Sequence, residues 1–340
     1  MVINEYMSQK VISIFLLFLL SFLLSMLLTP IYTSFAYKHK LWKKRRTTST
    51  TGEKLTIVSA QSTRDYDVPT MAGVVMVVAV LVVTAAFNLS RQQTWLPLAA
   101  IVGGGVVGLV DDLINFKGKG GGVAGLKASL KFTLITLVAI AVALFFYFKL
   151  GFDSVHLPVF GDVHLGVAII PLFVLVVIST ANAVNISDGL DGLAGGLLIY
   201  AYGAFGLIAF IQGNYGIAAF CMTVTGSLLS YVWFNIPPAR FFMGDVGSFA
   251  LGTALGVVAM LTNTVFLLPI IGLVFVVEAG SSLVQILSKK VFHKKILIAA
   301  PIHHHFQALG WPKTKVTMRF WIIGQTSAVL GILLAVVGKY

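Results

Sequence analysis

Long apolar runs, each bounded by charge, proline or glycine, repeat along the whole chain. They fall at 11–36, 69–89, 95–111, 129–150, 166–186, 192–212, 216–235, 247–264, 266–288 and 318–338. A bilayer core takes about 20 apolar residues per helix. The pattern therefore predicts an all-α polytopic membrane protein with about ten transmembrane helices and short loops. The boundary between the eighth and ninth runs is faint, marked only by Leu261-Thr262-Asn263-Thr264. The first run is too long for a signal-peptide core and lacks a small-x-small cleavage site, so it is expected to remain as a helix. The polar stretch 38–67 predicts a mobile basic loop, and 151–165, with Pro158 and Gly161, a short external hairpin. No short-period repeat or soluble domain interrupts the array, so 1–340 is expected to form one integral membrane domain.

Composition narrows the class. Hydrophobic residues make up 58% of the chain and charged residues only 11%, against about 25% charged in a soluble domain. A soluble enzyme and a disordered chain are thereby excluded. One cysteine, Cys221, excludes an internal disulfide framework and a thiolate metal cluster. The net charge of +12 is explained by where the basic residues sit. With ten spans, 20 of the 24 Lys and Arg fall in alternate loops, the first of them 38–67. The positive-inside rule puts those loops in the cytoplasm and both termini outside. Anionic lipid headgroups and an anionic substrate are the expected partners of this charge. No aromatic-basic module points to nucleic acid.

The acidic residues carry the chemistry, because charge at membrane depth is costly. Asp111, Asp112, Asp188, Asp191 and Asp245 all lie at cytoplasmic ends of spans, in three separate loops. Clustered carboxylates without thiolates suit a hard cation, most often Mg²⁺ with a phosphate substrate. Asp111 and Asp112 are adjacent, so on a helix they point about 100° apart and play different parts. Gly103, Gly104, Gly105 and Gly108, just upstream, read as a close-packing face. In Asn182-Ala-Val-Asn185-Ile-Ser-Asp188-Gly189-Leu-Asp191-Gly192 a helix break near 187–189 would let the polar side chains converge. Gly189, Gly192, Gly195 and Gly196 would then open a helix whose N–H groups can meet phosphate. Phe241-Phe242-Met243-Gly244-Asp245-Val246-Gly247-Ser248 predicts a turn into a helix that sets a carboxylate beside N–H donors. Its aromatics are stacking platforms for a base or interface anchors. Pro301-Ile302-His303-His304-His305-Phe306-Gln307 supplies imidazoles for phosphate contacts, and Lys127 and Lys131 supply countercharge. Glu278, inside the ninth run, needs a partner.

The set DDxxN, NxxNxxDGLDGLAGG, FFMGDxGS and PIHHHF, in that order, resembles the phospho-N-acetylmuramoyl-pentapeptide transferases. These belong to the polyprenyl-phosphate N-acetylhexosamine-1-phosphate transferase superfamily. Pro69-Thr70-Met71-Ala72-Gly73 is similar to the family's PTMGG element, and the likeness runs from about 69 to 338. The resemblance implies Mg²⁺-dependent transfer of phospho-MurNAc-pentapeptide from UDP to undecaprenyl phosphate, giving lipid I and UMP, the first membrane step of peptidoglycan and cell-wall synthesis. It further implies a homodimer in the bacterial plasma membrane, a cytoplasmic cleft and a broken ninth helix. By the same resemblance Asp245 is a Mg²⁺ ligand, with Asp111 a second candidate, and Asp111 and Asp112 form the essential acidic pair. Asn182, Asn185, Asp188, Asn235 and Phe242 line a nucleoside pocket, with Asp191 and Thr70 beside it. Gln285, His303, His304 and His305 contact substrate, and Lys131 faces its phosphates. The sequence departs from the family pattern in three places. Asn115 and Gln307 stand where the family has Lys and Glu, and Thr63–Val68 replaces a Lys-rich segment ending in Gly-Thr. These departures leave a transferase for another UDP-N-acetylhexosamine as the alternative. A secondary transporter is the rival outside enzymes, although its ionisable residues belong near the midplane.

Overall fold

The computed structural model describes residues 2–42, 68–117, 125–157 and 161–338, with side chains from Glu5 onward. Most of the expected 38–67 loop, including 63–67, lies outside these residues. The chain is built from helices. α1 (Val2–Lys38) runs 37 residues with Pro30 inside it. α2 (Gly73–Phe87) is short, and α3 (Trp95–Lys117) and α4 (Ala128–Leu150) follow. A two-stranded antiparallel hairpin, β1 (Ser154–Leu157) and β2 (Gly161–His164), pairs Ser154 with His164. It occupies the 151–165 stretch where a hairpin was expected. Then come α5 (Ile169–Ser187), α6 (Leu193–Ile211), α7 (Tyr215–Asn235) and α8 (Gly244–Leu261). The last part contains α9 (Leu268–Ile271), α10 (Leu273–Phe292), α11 (Ile302–Ala308) and α12 (Lys313–Val337).

Among the described residues, 8 helices are long and apolar enough to cross a membrane. The ninth apolar run is a bent pair, folded by 82° between α9 and α10, in keeping with the broken ninth helix that the resemblance implies. Gly272 sits at the bend, with its N–H on the Leu268 carbonyl. α2, at 15 residues, is about 22 Å long at 1.5 Å per residue and falls short of the roughly 30 Å core. The described residues are those of a multi-pass helical membrane protein.

α8 is the axis of the assembly, and all 18 of its residues are buried. A helix without a polar face is buried in protein or lipid; here α2, α3, α5 and α6 pack around it. The tightest of these contacts is with α3, and glycine makes it possible. A Cβ on Gly108 would lie 2.1 Å from the Asp245 carbonyl oxygen, and one on Gly104 2.6 Å from that of Phe249. The glycine face upstream of the aspartate pair is therefore a packing surface. On the far side, α1 lies along α7, where Gly226 admits the Phe18 carbonyl. The outer face of α1 is bare apolar surface, with Leu27 71% and Ile31 69% exposed, as a lipid-facing helix requires.

Candidate active site

The close approach of α3 and α8 brings three carboxylates and a lysine together. Lys131, one turn into α4, places Nζ 2.7 Å from Asp111 Oδ2 and 2.8 Å from Asp245 Oδ2. Asp111 and Asp112 diverge, as neighbours on a helix must. Asp111 faces the lysine and accepts the Leu126 N–H, while Asp112 Oδ2 accepts the Val246 N–H at 3.0 Å, within the first turn of α8. A carboxylate there is favoured by the helix dipole and by unsatisfied N–H groups. Gly244 makes the turn. Its φ is +76°, and a Cβ would stand 2.6 Å from Asp112 Oδ2 and 2.8 Å from the Met71 nitrogen. Asn115, one turn beyond the pair, is buried on the same side of α3, and neither amide atom has a hydrogen-bond partner.

The PTMAG segment is laced to the strand before α8. Phe242 N–H donates to the Pro69 carbonyl at 2.8 Å, Ala72 N–H returns to the Phe242 carbonyl at 3.0 Å, and Gly73 N–H reaches the Met243 carbonyl at 2.9 Å. Thr70 is buried, its Oγ1 without a partner, and its carbonyl accepts the Tyr32 hydroxyl from α1. The two phenylalanines part company. Phe241 is buried among Tyr32, Tyr231 and Phe234, whereas Phe242 is only half-buried. Of the two, only Phe242 has a face left for a ligand.

The α5–α6 connection breaks where the sequence predicts, with α5 ending at Ser187 and Gly192 entering α6 at φ +75°. Asn185 Nδ2 donates to Ser248 Oγ of α8 at 2.9 Å. Asn182 Nδ2 returns to its own helix at the Ile178 carbonyl, and Asp188 caps the end of α5, half-buried. Asp191 Oδ2 accepts the Ala239 N–H at 3.3 Å. Asn235 is an internal brace: Oδ1 takes the Gly192 N–H at 2.7 Å and Nδ2 donates to the Phe241 carbonyl at 2.7 Å. The expected glycine cradle is thus mostly packing. The Gly192 N–H is committed to Asn235, a Cβ on Gly196 would meet Trp321 Nε1 at 2.1 Å, and Gly195 packs on Tyr231 and Val232.

The histidines lie in and just after the first turn of α11. His303 is fully buried, with Nδ1 2.7 Å from Glu278 Oε2. His304 Nδ1 lies 2.7 Å from Gln307 Oε1, and His305 Nδ1 accepts the Ile298 N–H at 3.2 Å. These partners set opposite tautomers for the neutral rings. His304 spends its proton on Gln307 and keeps Nε2 as an acceptor; His305 keeps an Nε2–H donor. Burial pulls His303 down to about 3 and His304 to about 4, so both are neutral near pH 7. Gln285 is a clamp. Its Nε2 donates to the Leu297 carbonyl at 2.9 Å, and its Oε1 accepts the N–H groups of Ile296 and Leu297.

Direct contacts join the four motifs in series. Asp112 and Lys131 reach α8, Asn185 reaches Ser248 of α8, and His303 Nε2 lies against Gly189, whose Cβ would fall 2.4 Å from it. Sequence reasoning missed Tyr231, whose hydroxyl accepts the Met243 N–H at 2.9 Å, and Thr317 and Trp321 of α12, which hold the Asp191 and Gly192 carbonyls. Tyr231 and Trp321 hide in apolar spans and Thr317 in a basic stretch just before one, where only three-dimensional proximity reveals them. No group of three or more His, Cys, Asp and Glu fit to hold a metal occurs among the described residues. The nearest arrangement is the Asp111–Asp245 carboxylate pair, both on one Nζ.

A profile of glycosyl transferase family 4 matches residues 94–263. The phospho-N-acetylmuramoyl-pentapeptide-transferase of Chloroflexus aggregans is 38% identical over 320 residues, spanning 90% of this chain and 85% of the relative. Enzymes of the same name from Lactobacillus helveticus and from Geobacillus sp. strain WCH70 are each 39% identical, over 270 and 275 residues. They cover 77% and 79% of this chain and 82% and 84% of their own.

Proposed function

Since the chain belongs to the phospho-N-acetylmuramoyl-pentapeptide transferase family, we propose that it moves phospho-MurNAc-pentapeptide from UDP to undecaprenyl phosphate, releasing UMP and forming lipid I. The supporting observation is the junction of Asp111, Asp245 and Lys131 between α3, α4 and α8. An oxygen of the lipid phosphate attacks the β-phosphorus of the nucleotide sugar; that P–O bond forms as the P–O bond to UMP breaks. Phosphoryl transfer asks the protein for position and countercharge more than for covalent chemistry.

The donor set fits Mg²⁺. Two aspartates supply hard oxygen, and Mg²⁺ commonly takes one or two carboxylates, completing its shell with water and substrate phosphate. Asp245 would be the first ligand and Asp111 the second. The ion would neutralise the diphosphate and the departing UMP. Lys131 brings a cation to the same oxygens and is placed to pass from carboxylate to phosphate. Asp112, tied to the Val246 N–H, holds the first turn of α8 to α3 and so fixes Asp245. His305, with Nε2–H outward, donates to phosphate oxygen, and His304 Nε2 accepts from a substrate hydroxyl or amide. Asp188 and Phe242, each half-buried, receive the nucleoside. The cleft opens toward the cytoplasm and both termini lie outside, a reading that rests on the distribution of Lys and Arg over ten crossings, the short α2 and the bent α9–α10 pair each counted as one.

The test is UMP release by the purified protein with undecaprenyl phosphate, Mg²⁺ and either UDP-MurNAc-pentapeptide or UDP-GlcNAc. Release with the muramoyl nucleotide alone, abolished by EDTA, is expected. Release with UDP-GlcNAc alone would move the substrate to another N-acetylhexosamine. No release with either would overturn the proposal.

A further inference from the structure

α10 carries Glu278, Ser281, Gln285 and Ser288 among mostly apolar residues, with Ser282 and the terminal Lys289 and Lys290 besides. Steps of three and four put all four on one face. Each grips the segment that follows the helix, and the order of the partners reverses. Ser288 Oγ donates to the Lys294 carbonyl at 2.9 Å, Gln285 binds Ile296 and Leu297, Ser281 Oγ accepts the Ile302 N–H at 2.9 Å, and Glu278 takes His303. This is a ladder of side chain on backbone, laid antiparallel to its own helix. The last rung alone joins two side chains. Glu278 and His303 are 0% exposed, 2.7 Å apart, and Glu278 Oε1 and His303 Nε2 find no other partner. An acidic group at this depth is costly to keep, and neither ring edge nor carboxyl has room for a ligand. On its far side His303 presses on Gly189 of the α5–α6 connection.

We infer that Glu278 is a positioning residue for the transfer reaction: through His303 it sets the distance between the α5–α6 connection at Gly189 and the display of His304 and His305. His303 is then a strut inside the protein, not a group that touches substrate. The inference rests on the reading above that His304, His305 and Asp188 face the substrate. It explains why an acid is retained in an apolar span with one neutral imidazole as its partner.

The experiment compares Glu278→Ala and Glu278→Gln in the full-length protein, with two readouts. The first is UMP release. Loss of a supporting partner one shell out from the reacting groups costs roughly 10–100-fold at metal sites, and Glu278→Ala, which removes such a support from the strut, should lose turnover on that order. Glu278→Gln, which still accepts the His303 N–H, should stay within threefold of the parent. The second is modification of each histidine by diethyl pyrocarbonate, mapped by mass spectrometry, which needs no catalysis. His303 should be protected in the parent and in Glu278→Gln, and reactive in Glu278→Ala. Should Glu278→Ala not fold, Gly189→Ala pushes the ring from the opposite side with Glu278 intact and should likewise cost turnover. Equal loss in Ala and Gln variants with His303 still protected would overturn the inference, because the carboxylate charge itself would then be needed. Parental turnover and protection in Glu278→Ala would overturn it as well. If the parent releases no UMP from either nucleotide, the functional reading fails, and the modification pattern still decides the strut.

Discussion

Lys131 is held by two carboxylates at hydrogen-bonding distance, and its loss should be felt at the phosphate. Removing a positioned cation or donor from a transition state costs about 10²–10³ in turnover. We expect that loss for Lys131→Ala. Asp245→Asn should abolish turnover, and its Mg²⁺ affinity, read by titration, should fall with it. Full activity in Asp245→Asn would remove that residue from the metal site. The histidines give a prediction in pH. Burial holds His303 and His304 at about 3 and about 4, below the ordinary 6.5. The unfolded chain takes up protons near pH 6.5 that the folded chain refuses until lower pH, so stability is lost as pH falls through that window. Thermal unfolding followed from pH 7.5 downward should show a falling midpoint, and His303→Gln should flatten the curve. An unchanged slope would place the ring outside the buried site. Much at this scale was legible: carboxylates and imidazoles in apolar sequence stand out because burying them is costly. Which ring is buried and which is displayed was not, because three consecutive histidines look alike until α11 turns each a different way.

Between elements, the site depends on how closely α3 lies on α8. Gly108 faces the Asp245 carbonyl with no room for a methyl group. Gly108→Ala should therefore part the helices and separate Asp111 from Asp245. Overpacking of this kind costs about 1–3 kcal/mol; a lowered unfolding midpoint with a larger proportional loss of UMP release is the expected result. Gly244→Ala should do comparable damage at the mouth of α8, where positive φ adds strain. The glycine run was readable as a packing face from its spacing. Its partner was not, since nothing in one sequence pairs Gly108 with Asp245. The ninth run, 266–288, likewise reads as one apolar stretch by hydropathy. Its 82° bend at Gly272 is local backbone geometry that hydropathy does not register.

The whole molecule places a polar reaction against an apolar shell. Spans were the most legible feature, because the bilayer demands length and apolarity in each segment separately. Closure of the site was less so, because its residues come from helices far apart in the chain. One consequence of the α8 arrangement remains. A helix sealed on every side is a stator: it cannot tilt unless its neighbours tilt with it. Asp245 rides on that stator, and Asp111 and Lys131 are fastened to it. His304 and His305 ride on an arm, α10 and α11, that bends away at Gly272 and packs on α5 and α12. Induced movement on substrate binding therefore belongs to the arm. Spin labels on α11 and α8 should report a changing separation across the catalytic cycle, while a pair spanning α3 and α8 keeps time like a fixed ruler.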